Sequence, residues 1–155
     1  MWTVSKSKIK VTKIIPGEFY YDSAAEESDT KRPDNEWTFE TEVVRTVKRE
    51  LKDAKERKYD QLRVFTTINY RKPGSAEDLL RLRLTTVFET KHFLLHQVDK
   101  EMWFYLNETS LGHCHGWYAL KSIGTVFENH IMPTFPIRTM KGLEKNMKRI
   151  YGDRQ

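Results

Sequence analysis

The chain reads as an α+β domain, a four-stranded antiparallel sheet followed by helices, and three features say so. Residues 37–46, 62–71 and 80–92 alternate apolar and polar side chains with the two-residue period of half-buried strands. Pro73, Gly74 and Ser75 separate the last two of these runs and have the composition of a tight turn. After Gln97 the apolar spacing lengthens to that of helices, and a segment holding Pro133 and Pro136 divides the helical region in two.

The first strand is expected over Lys8 to Phe19, which is rich in β-branched residues, with Ile9, Val11 and Ile14 toward the core. Pro16 and Gly17 predict a bulge, bend or strand end. Tyr21 to Glu36 is polar and acidic and reads as a long crossover loop. Trp37, Phe39, Thr41 and Val43 form the apolar face of the second strand. Val47 to Asp60 is densely charged and fits either a short helix, with Asp53 four residues before Arg57, or a long charged hairpin.

Leu62, Val64, Thr66, Ile68 and Tyr70 give the third strand one apolar face, and Leu80, Leu82, Leu84, Thr86 and Phe88 do the same for the fourth. The short turn between them predicts an antiparallel hairpin with one wet face. Ser110 is the expected cap of a helix running to about Asn129. Its stripes are Gly116, Leu120, Ile123, Phe127 and Ile131, and Leu111, Cys114 and Tyr118. Gly112, Gly116 and Gly124 suit a helix against which another backbone packs closely. Thr139 is the expected cap of a last helix over Met140 to Tyr151, with Met140, Leu143, Met147 and Ile150 as its apolar stripe.

The 155 residues fit one domain, 1–155, able to bury a core without metal or disulfides. Cys114 is the only cysteine, so a reducing compartment is expected. Met1 to Ile15 lacks an apolar signal segment and no stretch has the length of a membrane span, so the expectation is a cytoplasmic protein without membrane insertion. The net charge of +5 favours anionic partners, yet the charge is mixed along the chain and marks no nucleic-acid stripe.

Candidate chemistry is sparse. His113, Cys114 and His115 are adjacent, so on a helix they diverge by about 100° per residue, and neither histidine has a ligand partner four residues away. His92 and His96 would lie about 13 Å apart on a strand. No metal site, cofactor or catalytic residue follows, and neither a phosphate loop nor a nucleophile elbow is present. The expectation is a protein that is not an enzyme. The surplus is in aromatic and methionine side chains, which adapt to many apolar partners.

The order of parts resembles that of the SecB and SecB-like export chaperones. LRLRLTTVFETKHF, from Leu80 to Phe93, is similar to the family's last sheet strand. GHCHGWYALKSIGTVFENH, with HCHGWYA at its centre, is similar to its long helix, and IMPTFPIRTM to its proline link. The resemblance implies a non-enzymatic holdase that binds unfolded polypeptides without ATP, as a homotetramer built as a dimer of dimers. It implies a client groove lined by Trp37, Phe39, Phe135, Met140, Leu143 and Met147. It also implies an oligomer interface drawn from Leu111, Cys114, Trp117, Tyr118, Leu120 and Phe127. The family's export members present an acidic surface to the motor SecA, so the resemblance implies SecA as a partner, while the basic balance of this chain departs from those members at that surface. Alternatives are an interaction module with one specific partner and a basic nucleic-acid binder.

Overall fold

The computed structural model of the chain describes residues 8–90 and 99–139. The expected last helix, with Met140, Leu143 and Met147, lies outside the described residues, as do His92 and His96. Four strands, β1 (Ile9–Tyr21), β2 (Glu36–Lys52), β3 (Lys55–Arg71) and β4 (Asp78–Thr90), form one antiparallel sheet in the order β1-β4-β3-β2. One helical turn, α1 (Glu27–Thr30), interrupts the crossover that joins β1 to β2. The long helix α2 (Lys100–Lys121) lies across one face of the sheet, followed by a link that ends in a 3-10 turn at Ile137–Thr139. The fold is therefore α+β, as the alternation and the later helical spacing require.

The β3–β4 hairpin has the expected inward face, and Val87 on the opposite face is buried as well. Leu62, Val64, Thr66, Ile68 and Tyr70 are buried, and so are Leu80, Leu82, Leu84, Thr86 and Phe88. Gly74 takes a φ of 70°, the left-handed conformation that its turn needs. β1 departs from expectation. Ile9 is buried, but Val11 and Ile14 are exposed, because β1 is an edge strand with register shifts between Val11 and Lys13 and between Pro16 and Glu18.

The charged segment 47–60 resolves as a hairpin, not a helix. β2 and β3 pair without a register shift out to Lys52 opposite Lys55. Asp53 and Ala54 close the turn with φ of 54° and 61°. Two positive φ values define a type I′ turn, whose twist matches that of the strands. Ala54 is strained there, since a Cβ in this region costs roughly 1–2 kcal/mol. Ala54→Gly is expected to slow amide exchange in the hairpin tip by about fivefold, the equivalent of about 1 kcal/mol. Unchanged exchange at Arg49 and Lys58 would show that the turn is not strained.

α2 begins eleven residues earlier than expected. Asp99 is its cap, accepting a hydrogen bond from the Met102 backbone N–H at 2.7 Å. Ser110 lies inside the helix and donates to the Leu106 carbonyl at 2.8 Å. The helix stops at Lys121, before the expected end. Ser122 and Thr125 spend their hydroxyls on nearby carbonyls, and Gly124 turns left-handed at φ 78°. The stripe Gly116, Leu120, Ile123, Phe127, Ile131 is thus no helix face. Leu120, Ile123 and Ile131 are exposed, while Phe127 folds back into the core. The second stripe, Leu111, Cys114 and Tyr118, does face the sheet and is buried.

Candidate functional site

Among the described residues, one face of α2 borders a groove. Glu108, Leu111, Gly112 and His115 form one wall of a cavity of about 430 Å³, and Thr134, Phe135, Pro136, Ile137, Arg138 and Thr139 of the link form the other. A second cavity of about 470 Å³ follows, lined by His115, Tyr118, Ala119 and Ser122 of the helix side and by 128–132 of the link. These helix positions recur every three or four residues, so both cavities lie along one face. His115 lines both and bridges the groove, its Nε2 donating to the Pro133 carbonyl at 3.0 Å. From Glu108 to Ser122 the groove spans about 21 Å of helix.

Gly112, Ala119 and Ser122 are the small residues on the helix wall of the groove. A Cβ built on Gly112 or Gly116 would meet nothing within 4 Å among the described residues. Among the described residues no backbone packs closely against either glycine. Gly112 leaves room.

The link that forms the far wall is held by rings and carbonyls. The Tyr118 hydroxyl donates to the His130 carbonyl at 2.5 Å. The Thr30 carbonyl of α1 accepts from the Tyr70 hydroxyl at 2.6 Å and from His130 Nε2 at 2.8 Å, so crossover, sheet and link meet at one atom. Trp37 and Tyr70 stack around the same point with centroids 4.5 Å apart, and Phe127 meets Tyr70 edge-on at 6.1 Å. At the other end, Arg138 bonds Glu101 and Glu108 at 2.9 and 3.0 Å, tying the 3-10 turn back to α2.

Of the expected groove residues, Phe135 lines the cavity and covers Phe39, the two rings stacked at 5.4 Å. Phe39 is thereby buried beneath the groove wall. Trp37 is half-buried in the ring cluster that anchors the link. Of the expected interface residues, Leu111, Cys114, Tyr118 and Phe127 are buried in the chain's own core. Trp117 is half-buried against Phe19 at 6.0 Å. Leu120, 66% exposed, is the member of the set left facing solvent. The sequence reading missed Gly112, His115 and Ile137 as groove residues. The spacing of Glu108, Gly112, His115 and Ala119 was the available signal, hidden because none of these residues is a large apolar one.

Among the described residues no three metal-ligating side chains cluster. His113 meets the Thr86 hydroxyl at 3.0 Å through Nδ1, and burial pulls its pKa down, which favours the neutral ring. Burial pushes the Cys114 thiol up to about 12, and likewise raises the Tyr118 phenol. Since the thiolate is the nucleophile, Cys114 is inert in the folded state. A thiol-reactive disulfide reagent is expected to leave Cys114 unmodified in native protein and to label it fully in denaturant. Rapid native labelling would place the thiol at the surface.

No helix among the described residues is long and apolar enough to cross a membrane. No protein-family model matches the chain, and no curated protein matches its sequence. Among solved structures, the chain is similar to the SecB-like chaperone Rv1957 of Mycobacterium tuberculosis in complex with a ChAD peptide from the Rv1956 HigA1 antitoxin. That likeness has a TM-score of 0.43 and 8% identity, and covers 83% of this chain and 92% of the other.

Proposed function

We propose that this protein is a non-enzymatic, ATP-independent holdase that captures extended polypeptide in the groove along α2. The observation that carries the reading is the groove itself: two cavities of about 430 and 470 Å³, one behind the other on one helix face. Each is large enough for a Leu, Phe or Trp side chain. Their midpoints on the helix are roughly seven residues apart, about 10 Å along the axis. In an extended chain that separation is about three residues. A client with apolar side chains three apart would fill both, each burial stabilising the complex by about 1.5–3 kcal/mol before ordering costs. The His115 bridge offers polar atoms to the client backbone between the two side chains.

The sequence resemblance to SecB-like chaperones supports the same reading and adds a homo-oligomer, a dimer of dimers. Exposed Leu120 and Ile123 are among the apolar side chains available to such a contact. The cytoplasm is the compartment that suits a lone buried thiol. A partner module with a single specific ligand would use the same groove but would discriminate among unfolded chains.

Light scattering on a sizing column, alone and with excess permanently unfolded protein, tests the reading. The expected result is an oligomer that retains the unfolded chain and ignores its folded form. Gly112→Trp fills the groove from a position with open space, and is expected to weaken capture at least tenfold with the fold intact. Gly112→Ala is expected to keep capture and to add up to about 1 kcal/mol of stability through helix propensity. A monomer that retains nothing, or a Gly112→Trp protein that captures as well as the parent, would overturn the proposal.

A further inference from the structure

Charge that is dispersed in the sequence is concentrated by the fold. The β3–β4 ladder begins at Gln61 opposite Glu89, whereas the β2–β3 ladder continues to Lys52 opposite Lys55. Among the described residues, positions 47–60 therefore form a two-stranded arm of six residue pairs, about 20 Å long. The arm adds nothing to the hydrophobic core. Positions 47–59 carry six basic and three acidic side chains, three of the chain's five excess positive charges.

The register sorts these charges by face. Lys48 opposite Tyr59, Glu50 opposite Arg57, and Lys52 opposite Lys55 share one face, the continuation of the sheet surface that α2 does not cover. That face holds four cations and one carboxylate, with two cations on each strand. On the other face Arg49 lies 3.5 Å from Glu56, and Lys58 is exposed. The body of the open sheet face is mixed instead, with Glu40 and Glu42 near Arg63 and Arg83.

We propose that this arm is a docking site for the phosphate backbone of duplex DNA, a surface separate from the groove along α2. A two-stranded ribbon fits the major groove, about 12 Å wide. Cations on both strands would meet phosphates on both groove walls, and the tight two-residue turn at Asp53 and Ala54 keeps the tip narrow. An acidic peptide, being one chain, would engage one row of these cations. Binding would be sequence-tolerant and driven by counterion release.

The test is fluorescence anisotropy of the full chain with a labelled mixed-sequence duplex of about 20 base pairs, across salt concentrations, where four phosphate contacts give a log–log slope near −3.6. Wild type is expected to bind with a slope steeper than about −3. The K48Q/K52Q/K55Q/R57Q variant is expected to bind at least tenfold more weakly, with a slope shallower by about 3. Replacing residues 48–59 by an Asn-Gly turn removes the arm without touching the core, and should abolish DNA binding while capture of unfolded protein persists. The proposal falls if wild type does not bind at low salt, or if either variant keeps the parental affinity and slope. It falls equally if polyglutamate of matched charge displaces the duplex as well as unlabelled DNA does.

Discussion

Asp60→Ala is expected to cost about 3–5 kcal/mol, the effect of removing one partner from a buried ion pair. The Asp60 side chain is fully buried and that of Arg45 is 8% exposed. Their contact is two-pronged, with Arg45 Nε 2.7 Å and Nη2 3.2 Å from the two carboxylate oxygens. Deleting the carboxylate leaves a guanidinium charge in a site from which water is largely excluded. A domain of this size has about 5–15 kcal/mol in total, so the variant should be marginal at room temperature.

Arg45→Met with Asp60→Leu replaces the pair by apolar side chains and is expected to recover most of the loss, because no unpaired charge remains. The pair also stands where the arm leaves the sheet, and the Asp60 backbone N–H donates to the Thr90 hydroxyl of β4 at 2.9 Å. Urea midpoints of the two variants provide the measurement. A loss below 1 kcal/mol for Asp60→Ala would mean that water reaches the pair.

Phe127→Ala and Leu120→Asp should part by several kcal/mol, although both residues sit on the same stripe of the sequence. Phe127 is fully buried and meets Tyr70 and His130 with centroids at 6.1 and 5.6 Å. Truncating a buried Phe costs about 3–5 kcal/mol through lost burial and the cavity left behind. The link would detach with it, since Phe127 anchors the turn after α2, and the groove would lose its second wall. Leu120 is exposed on the helix surface, so its substitution should change stability by no more than about 0.5 kcal/mol. Its effect should appear in self-association. Thermal unfolding read beside light scattering separates the outcomes; equal losses of stability would mean that Leu120 is also packed.

The strands were the most legible part of the chain, and for a plain reason. In β3 and β4 the inward face keeps a two-residue period and the outward face holds Arg63, Arg81 and Arg83, so a one-residue slip would bury arginines, and alternation assigns the core face. The arm was ambiguous because a solvent-exposed ribbon has no apolar period to read. Its turn lacks the Asn-Gly or Asp-Gly pair that usually announces type I′ geometry. α2 was misread at both ends by local signals that tertiary packing overrode. Ser110 resembles a cap, but Met102, Trp103, Phe104 and Leu106 are buried against the sheet and extend the helix toward its N-terminus. Beyond Lys121 the apolar spacing continues on paper, while Gly124 and two hydroxyls end the helix.

The sequence alone determined the α+β class, the sheet hairpin, its inward face and the absence of helical structure between Pro133 and Pro136. These depend on periodicity and on proline chemistry, which act within a few residues. Tertiary structure decided which of Leu111, Tyr118, Leu120 and Phe127 are core and which surface, since burial depends on what folds back over a residue. It also decided that Gly112 opens a groove and that scattered lysines share one face of an arm. Those properties arise from the register of strands and the path of a link, which place residues far apart in sequence side by side.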